Sequence, residues 1–208
     1  MRRVLVLEAH PDPHSYGTAL ADAYAEGAAA AGAEVRRIAL RDLAFDPILH
    51  HGFREAQPWE PDLTQTWEAI QAADHLVFEF PVWWGNLPAL LKGFVDRVLL
   101  PGVAFRNVDG KPLPVGLLAG RTSRLITTMD SPWWWYSLKH GRAAHRAMTG
   151  ATLHYVGVAR VRETTVYALR TLDARQREQH LERARRAGTA DASAGSARRA
   201  RTHLVEGR

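Results

Sequence analysis

Residues 79–99, EFPVWWGNLPALLKGFVDRVL, constrain the fold more than any other stretch of the chain. An apolar run ends at Pro81, and a loop of two tryptophans, a glycine and an asparagine follows. Leu87, Leu90, Leu91, Phe94, Val95 and Val98 then recur at three- and four-residue steps, which is the spacing of an amphipathic helix. The unit therefore reads as strand, short aromatic loop, helix. Open α/β sheets bind ligands outside the carboxyl ends of their strands, on loops of this kind. Trp83 and Trp84 offer such a loop two large flat surfaces, for which a flat conjugated ligand is a natural partner. The competing reading, a tryptophan that plugs the crevice between helix and sheet, is left open by the spacing alone.

The same unit recurs along the chain. Residues 4–7 (VLVL) form a continuous apolar run of the kind seen in buried parallel strands. A helix rich in Ala follows, from near Thr18 to Gly32, and a second strand is expected at 34–40. Residues 41–61, with three prolines, read as a long irregular connection. Asp62 or Thr64 is expected to cap a helix carrying Leu63, Trp67 and Ile70. The third strand is placed at 75–80, and a small hairpin around Asp109-Gly110 within the Pro/Gly-rich 101–120. A fourth strand is expected at 123–129, a helix at 134–149 ending before Gly150, and a fifth strand at 152–161 through LHYVGV. Residues 166–169 extend the sheet edge in this reading, and a last helix spans 172–187. Strand and helix alternating about five times predict an α/β fold, a five-stranded parallel sheet with helices on both faces. The domain is expected to span 1–187, with 188–208 a disordered basic tail.

Composition narrows the function. A chain of 208 residues that is 46% hydrophobic has enough apolar content for one packed domain. It has no cysteine, so a disulfide framework, a thiolate metal site and a catalytic cysteine are excluded. No apolar run reaches signal-peptide or membrane-spanning length, so a cytoplasmic protein without membrane insertion is expected. The net charge of +5 comes from arginines gathered after position 160, which read as a solvated face rather than a nucleic-acid arm. Neither the Gly-rich dinucleotide fingerprint nor the Walker phosphate loop is present.

The loop after the first strand, His10-Pro11-Asp12-Pro13-His14-Ser15-Tyr16-Gly17-Thr18, leads into a helix N-terminus. Free N–H groups and the positive end of the helix dipole favour an anion there. Ser15 and Thr18 add hydroxyls, Gly17 permits close approach, and His10 adds a donor. This composition suits a phosphate cradle. Simple helix capping by Ser15 or Thr18 is the plainer use of the same residues. The segment AHPD also resembles the zinc-dependent N-deacetylases, but Pro13 and His14 stand where that family has acids, and its His-x-x-His pair is missing.

Three segments together, His10-Pro-x-x-x-Ser15, FPVWWGNLPALLKGFVDRVL and TTMDSPWWWYSLKHG, resemble the flavodoxin-like NAD(P)H:quinone oxidoreductases. That group includes modulators of drug activity and ancillary subunits of potassium-efflux systems, and the likeness spans roughly residues 1–165. The resemblance implies a flavodoxin-like sheet, bound FMN (or FAD), NAD(P)H as co-substrate, and a homodimer. Carried over by position, His10, Ser15, Tyr16, Gly17 and Thr18 would hold the flavin phosphate. Many relatives have Asn at position 17, so one side-chain donor is lost here. Pro81, Val82, Trp83, Trp84 and Gly85 would line the flavin ring, with Thr127 and Thr128 at its other edge. Met129-Asp130 replaces a Gly-Gly pair common in relatives. Tyr136 and His140 would be the catalytic donors that stabilise charge on the reduced flavin. NAD(P)H would deliver hydride and leave, and a quinone or similar small acceptor would then take its place, a ping-pong scheme. A flavodoxin-like regulatory subunit of a partner such as a transporter is the alternative.

Overall fold

The computed structural model describes residues 1–110 and 112–205, with side chains described through 194. Seven strands form: β1 (Arg3–Glu8), β2 (Glu34–Ala39), β3 (His75–Pro81), β4 (Phe105–Arg106), β5 (Val115–Gly116), β6 (Thr122–Thr128) and β7 (Arg160–Val166). Five of them make one parallel sheet in the order β2-β1-β3-β6-β7. The expected five-stranded flavodoxin-like sheet is what the chain adopts. Helices α1 (Tyr16–Ala30), α2 (Pro61–Ala72), α3 (Ala89–Val98), α4 (Ala143–Arg146) and α5 (Ala174–Val205) accompany it.

Side-chain alternation divides the core in two. Leu5, Leu7, Leu76, Phe78, Phe80 and Leu125 pack with Leu63, Ile70, Leu91 and Phe94 of α2 and α3. Val4, Val6, Val77, Ile126 and Val166 pack with Leu20, Tyr24 and Ala184 of α1 and α5. Each large side chain so buried contributes about 1.5–3 kcal/mol. The two edge strands, EVRRIA and RVRETTV, are the charged ones, which discourages pairing with another chain.

Several boundaries differ from expectation. The fifth sheet strand is not 152–161: residues Ala147–His154 form a wide helical turn, and β7 begins at Arg160. Leu153, Val156 and Val158 are buried, but from the end of a helix rather than from a strand. The helix expected at 134–149 is broken into a wide turn, Trp135–Lys139, then α4, then Ala147–His154. Helix α2 starts at Pro61 after Glu60, with no side-chain cap from Asp62 or Thr64. The small ribbon pairs Phe105 with Gly116 and Arg106 with Val115, so its connection is 107–114 rather than a tight turn at Asp109-Gly110, and Lys111 within it lies outside the described residues.

The largest difference is at the C-terminus. The helix does not stop at 187. It crosses α1 in backbone contact at Gly27 and Gly188: a methyl on Gly188 would lie 2.1 Å from the Tyr24 carbonyl oxygen, and one on Gly27 would lie 1.9 Å from that of Arg185. Thr189 donates to the Gly27 carbonyl at 3.0 Å. One turn on, Asp191 is fully buried and accepts from Arg124 Nε (2.6 Å), Arg162 Nη1 (2.6 Å) and the Tyr24 hydroxyl (3.1 Å). His75 Nε2 stands 3.2 Å from the same carboxylate. Arg2 donates to the Asp191 carbonyl at 2.6 Å. Residues 188–194 are therefore part of the packed fold; of the expected tail, 206–208 lie outside the described residues.

Burial alone would raise the Asp191 pKa, but the hydrogen bonds from His75 and Arg124 outweigh it and hold the carboxyl far below its ordinary value. A depressed carboxylate stabilises the fold above its unfolded-state pKa, and that contribution is lost as pH falls below it. Asp191→Ala, which leaves Arg124 and Arg162 without their shared anion, is expected to cost about 3–5 kcal/mol near neutrality. In denaturant titrations the gap to the parent chain should begin to narrow at about pH 4 and keep narrowing as the pH falls further. Cutting the chain after residue 187 should destabilise it at least as much.

Candidate functional site

At the carboxyl end of the sheet the loop after β1 turns directly into α1. Asp12 organises this loop: its N–H donates to His10 Nδ1 at 3.0 Å, and its carboxylate accepts from the His14 N–H at 2.8 Å. With Nδ1 accepting, the His10 proton sits on Nε2, the nitrogen left to act as a donor. Burial lowers the His10 pKa, so the ring is neutral at pH 7. Ser15 is the N-cap of α1: its Oγ accepts from the Thr18 N–H at 3.1 Å and lies 3.0 Å from the Thr18 hydroxyl. The plainer capping role of Ser15 is thus real. It does not exhaust the helix end, because the N–H groups of Tyr16 and Gly17 precede the first intrahelical bond and have no carbonyl partner.

The Tyr16 side chain points away from this helix end. Its hydroxyl donates to the Arg177 carbonyl at 2.6 Å, and the Arg177 guanidinium lies 5.5 Å from the ring centroid. Only the backbone of Tyr16 faces the helix end. Gly17 is required by a close approach: a methyl there would lie 1.9 Å from Glu79 Oε1.

The aromatic loop is a tight turn. Trp83 N–H donates to the Asn86 carbonyl (3.1 Å) and Asn86 N–H to the Trp83 carbonyl (2.9 Å). Trp84 and Gly85 between them have φ of 54° and 72°, the pattern of a type I′ turn. Trp84 is completely exposed, at 102%. Trp83 is partly exposed, and its ring meets that of His10 edge-on at 5.6 Å, so the first and third loops form one surface. Pro81 and Val82 are buried and contribute only backbone, with Val82 N–H donating to the Thr128 carbonyl at 2.8 Å.

Across the sheet, Thr127 and Thr128 end β6. Thr127 points to the α4 side, its hydroxyl 3.1 Å from His145 Nε2 and 3.0 Å from the Thr165 hydroxyl. Thr128 lies on the α1 side, as the alternation with Ile126 requires. Met129 N–H donates to the Val166 carbonyl at 3.0 Å, and Asp130 holds the Arg170 N–H at 3.1 Å, so this loop is braced against β7.

Tyr136 and His140 do not meet. The Tyr136 hydroxyl is buried and lies 2.8 Å from His145 Nδ1, while His140 packs against the aromatic turn, its Nδ1 3.3 Å from where a Gly85 methyl would be. The Trp135 ring is 6.0 Å from His140. Of the two expected donors, His140 stands at the turn and Tyr136 acts on His145. His145 and Glu79 are the polar groups that sequence reasoning passed over. A lone acid inside the apolar run LVFEFP was the available signal for Glu79; no comparable signal marked His145.

Among the described residues no group of three His, Cys, Asp or Glu is placed to hold a metal ion. Also among them, no helix is long and apolar enough to cross a membrane.

Comparison with known proteins matches residues 2–188 to a family described by its flavodoxin-like fold. The chain belongs to that family. It is 26% identical over 188 residues to a ribosyldihydronicotinamide dehydrogenase (quinone) of Pongo abelii, covering 75% of this chain and 77% of that protein. It is 33% identical over 133 residues to an uncharacterised NAD(P)H oxidoreductase of Haemophilus influenzae, covering 61% and 64%. Among solved structures, the NAD(P)H:quinone oxidoreductase of Methanothermobacter marburgensis superposes with a TM-score of 0.76 at 29% identity, over 90% of this chain and 98% of that one. The family that the three segments resemble is thus the one the comparisons return.

The strained turn makes a prediction. A bulky residue in the left-handed region costs about 1–3 kcal/mol, and Trp84 has no packing to lose. Trp84→Asn creates the Asn-Gly pair that type I′ turns favour, and should raise unfolding stability by about 1 kcal/mol in denaturant titrations. If the strain is kept for ligand contact, the same variant should bind an aromatic ligand more weakly.

Proposed function

We propose that this protein is an NAD(P)H-dependent oxidoreductase that uses a flavin mononucleotide to reduce quinones or similar small acceptors. The observation that carries the reading is the joining of two loops. The unpaired N–H groups of Tyr16 and Gly17, with the Ser15 and Thr18 hydroxyls, suit a phosphate, and the Trp83–Gly85 turn beside His10 suits a flat ring. The names of the relatives point the same way.

A flavin held here would supply the hydride and electron chemistry between NAD(P)H and the acceptor, in a ping-pong order. The chain's own residues do the rest. Backbone N–H groups at α1 and the helix dipole hold the phosphate, and His10 Nε2–H adds a neutral donor. The backbone of residues 81–85 and the Trp83 ring flank the flavin ring. His140, packed on Gly85, is the donor nearest that surface for stabilising negative charge. Tyr136 sets the orientation of His145, which in turn braces Thr127 and Thr165. Trp84, Trp133, Trp134 and Leu138 are large apolar side chains left exposed, which we assign to a homodimer interface.

Adding FMN and FAD separately to the purified protein, followed by gel filtration, tests the reading. A retained flavin band that bleaches on NAD(P)H addition, in a dimer-sized peak, is expected for FMN. A colourless protein that neither flavin stains contradicts it and favours the partner-binding alternative. Ser15→Ala should weaken FMN binding about tenfold, the loss expected for one hydrogen bond to a charged group.

A further inference from the structure

Glu79 sits at the carboxyl end of the central strand, where it is 0% exposed. Among the described residues neither of its carboxyl oxygens has a partner in hydrogen-bond geometry, and only the Ala9 and His10 N–H groups face it. A buried carboxyl without a partner is costly and calls for an explanation. The register sets Glu79 beside Glu8 on β1, and the alternation turns both toward α1, on the side of Val6 and Val77. Glu79 Oε1 fills the space that a side chain at Gly17 would take, 1.9 Å from its absent methyl. Gly17 is the second residue of a fifteen-residue helix and carries one of the two unpaired N–H groups. The buried acid is thus packed directly behind Gly17, beneath the backbone of the candidate phosphate cradle.

The charged groups around it are few. Glu8 is held by Arg37 at 2.7 Å and by Arg41 at 3.7 Å, and Arg37 also pairs with Asp22. Arg41 donates to the His10 carbonyl, and His10 itself is neutral near pH 7. Tyr16 on α1 is turned away to Arg177. Burial, with Glu8 adding to it, pushes the Glu79 pKa up to about 8, against weaker opposition from the Ala9 and His10 N–H groups and Arg41. At pH 7 the group is a carboxylic acid, and therefore a donor.

Resting on the flavin reading above, we propose that Glu79 makes phosphate binding by this chain pH-dependent: packed behind Gly17, its carboxyl is compatible with a phosphate at the helix N-terminus while neutral and repels it once ionised. The protonated form is the one that binds, so the phosphate raises the Glu79 pKa further. Affinity is then constant below the free-protein pKa and falls above it by about tenfold per pH unit.

Fluorescence-quenching titrations with FMN and with riboflavin, from pH 7 to pH 9.5, test this. That range lies above the second phosphate ionisation, near about pH 6. For the parent protein the FMN dissociation constant should rise about tenfold per pH unit above about pH 8, while that for riboflavin, which has no phosphate, stays level. Glu79→Gln, whose amide donates but does not titrate, should hold FMN with near-neutral affinity across the range. FMN binding that is level with pH in the parent protein, a parallel weakening of riboflavin, or a pH dependence that survives in a folded Glu79→Gln overturns the role of Glu79. Quenching by neither flavin at any pH overturns the flavin reading as well. The parent series decides the question even if the variant does not fold.

Discussion

The carboxylate of Asp191 fixes the last helix to the sheet, and the geometry of the site follows from that fixation. It gathers Arg124 of β6, Arg162 of β7, His75 of β3 and Tyr24 of α1 onto one anion. Such a cluster is held in place by the cost of stripping any one partner away, more than by net gain over an apolar packing. With α5 anchored, its crossing with α1 at Gly27 and Gly188 leaves no freedom for α1 to slide. The N-terminus of α1 is thereby set at the carboxyl end of the sheet, where the loop that leads into it meets the aromatic turn through His10 and Trp83.

The central strand shows how the two ends of one sheet face differ. β3 is buried along its whole length, yet His75 and Glu79 both point to the α1 and α5 side. At the amino end, His75 is engaged on both nitrogens: its Nδ1 lies 2.6 Å from the Thr122 hydroxyl and its Nε2 3.2 Å from the Asp191 carboxylate, and burial keeps the ring neutral. At the carboxyl end, Glu79 has no such partner. One end is closed by internal hydrogen bonds and supplies stability. The other is left polar, unpaired and adjacent to a helix N-terminus, the combination expected where a ligand completes the structure.

Much of this was legible in the sequence. The aromatic loop, the His10–Thr18 segment and the alternation of strands and helices gave the sheet and the two loops that meet, because apolar periodicity and turn chemistry are local signals. What failed was decided by contacts distant in sequence. Gly188 looked like the start of a tail, since an Ala/Gly/Ser/Arg stretch has little apolar surface; its value is its lack of a side chain at a helix crossing. Asp191 falls in the same stretch, and its partners lie on four other elements, β3, β6, β7 and α1. The run LHYVGV looked like a strand by propensity, but tertiary packing took Leu153 and Val156 from a helix end and left the sheet edge to the charged RVRETTV. Tyr136 and His140 come from the resemblance alone, and the broken helix between them sends one to His145 and the other to Gly85.

The central claim is that the first turn of α1 and the Trp83–Asn86 turn together hold one flavin mononucleotide. Amide hydrogen exchange with and without FMN addresses it most directly. The account predicts new protection at Tyr16 and Gly17, whose N–H groups gain a phosphate partner, together with slowed exchange through residues 82–86, and little change around Asp191. Protection confined to other segments, or none at Tyr16 and Gly17 while FMN is bound, would contradict it.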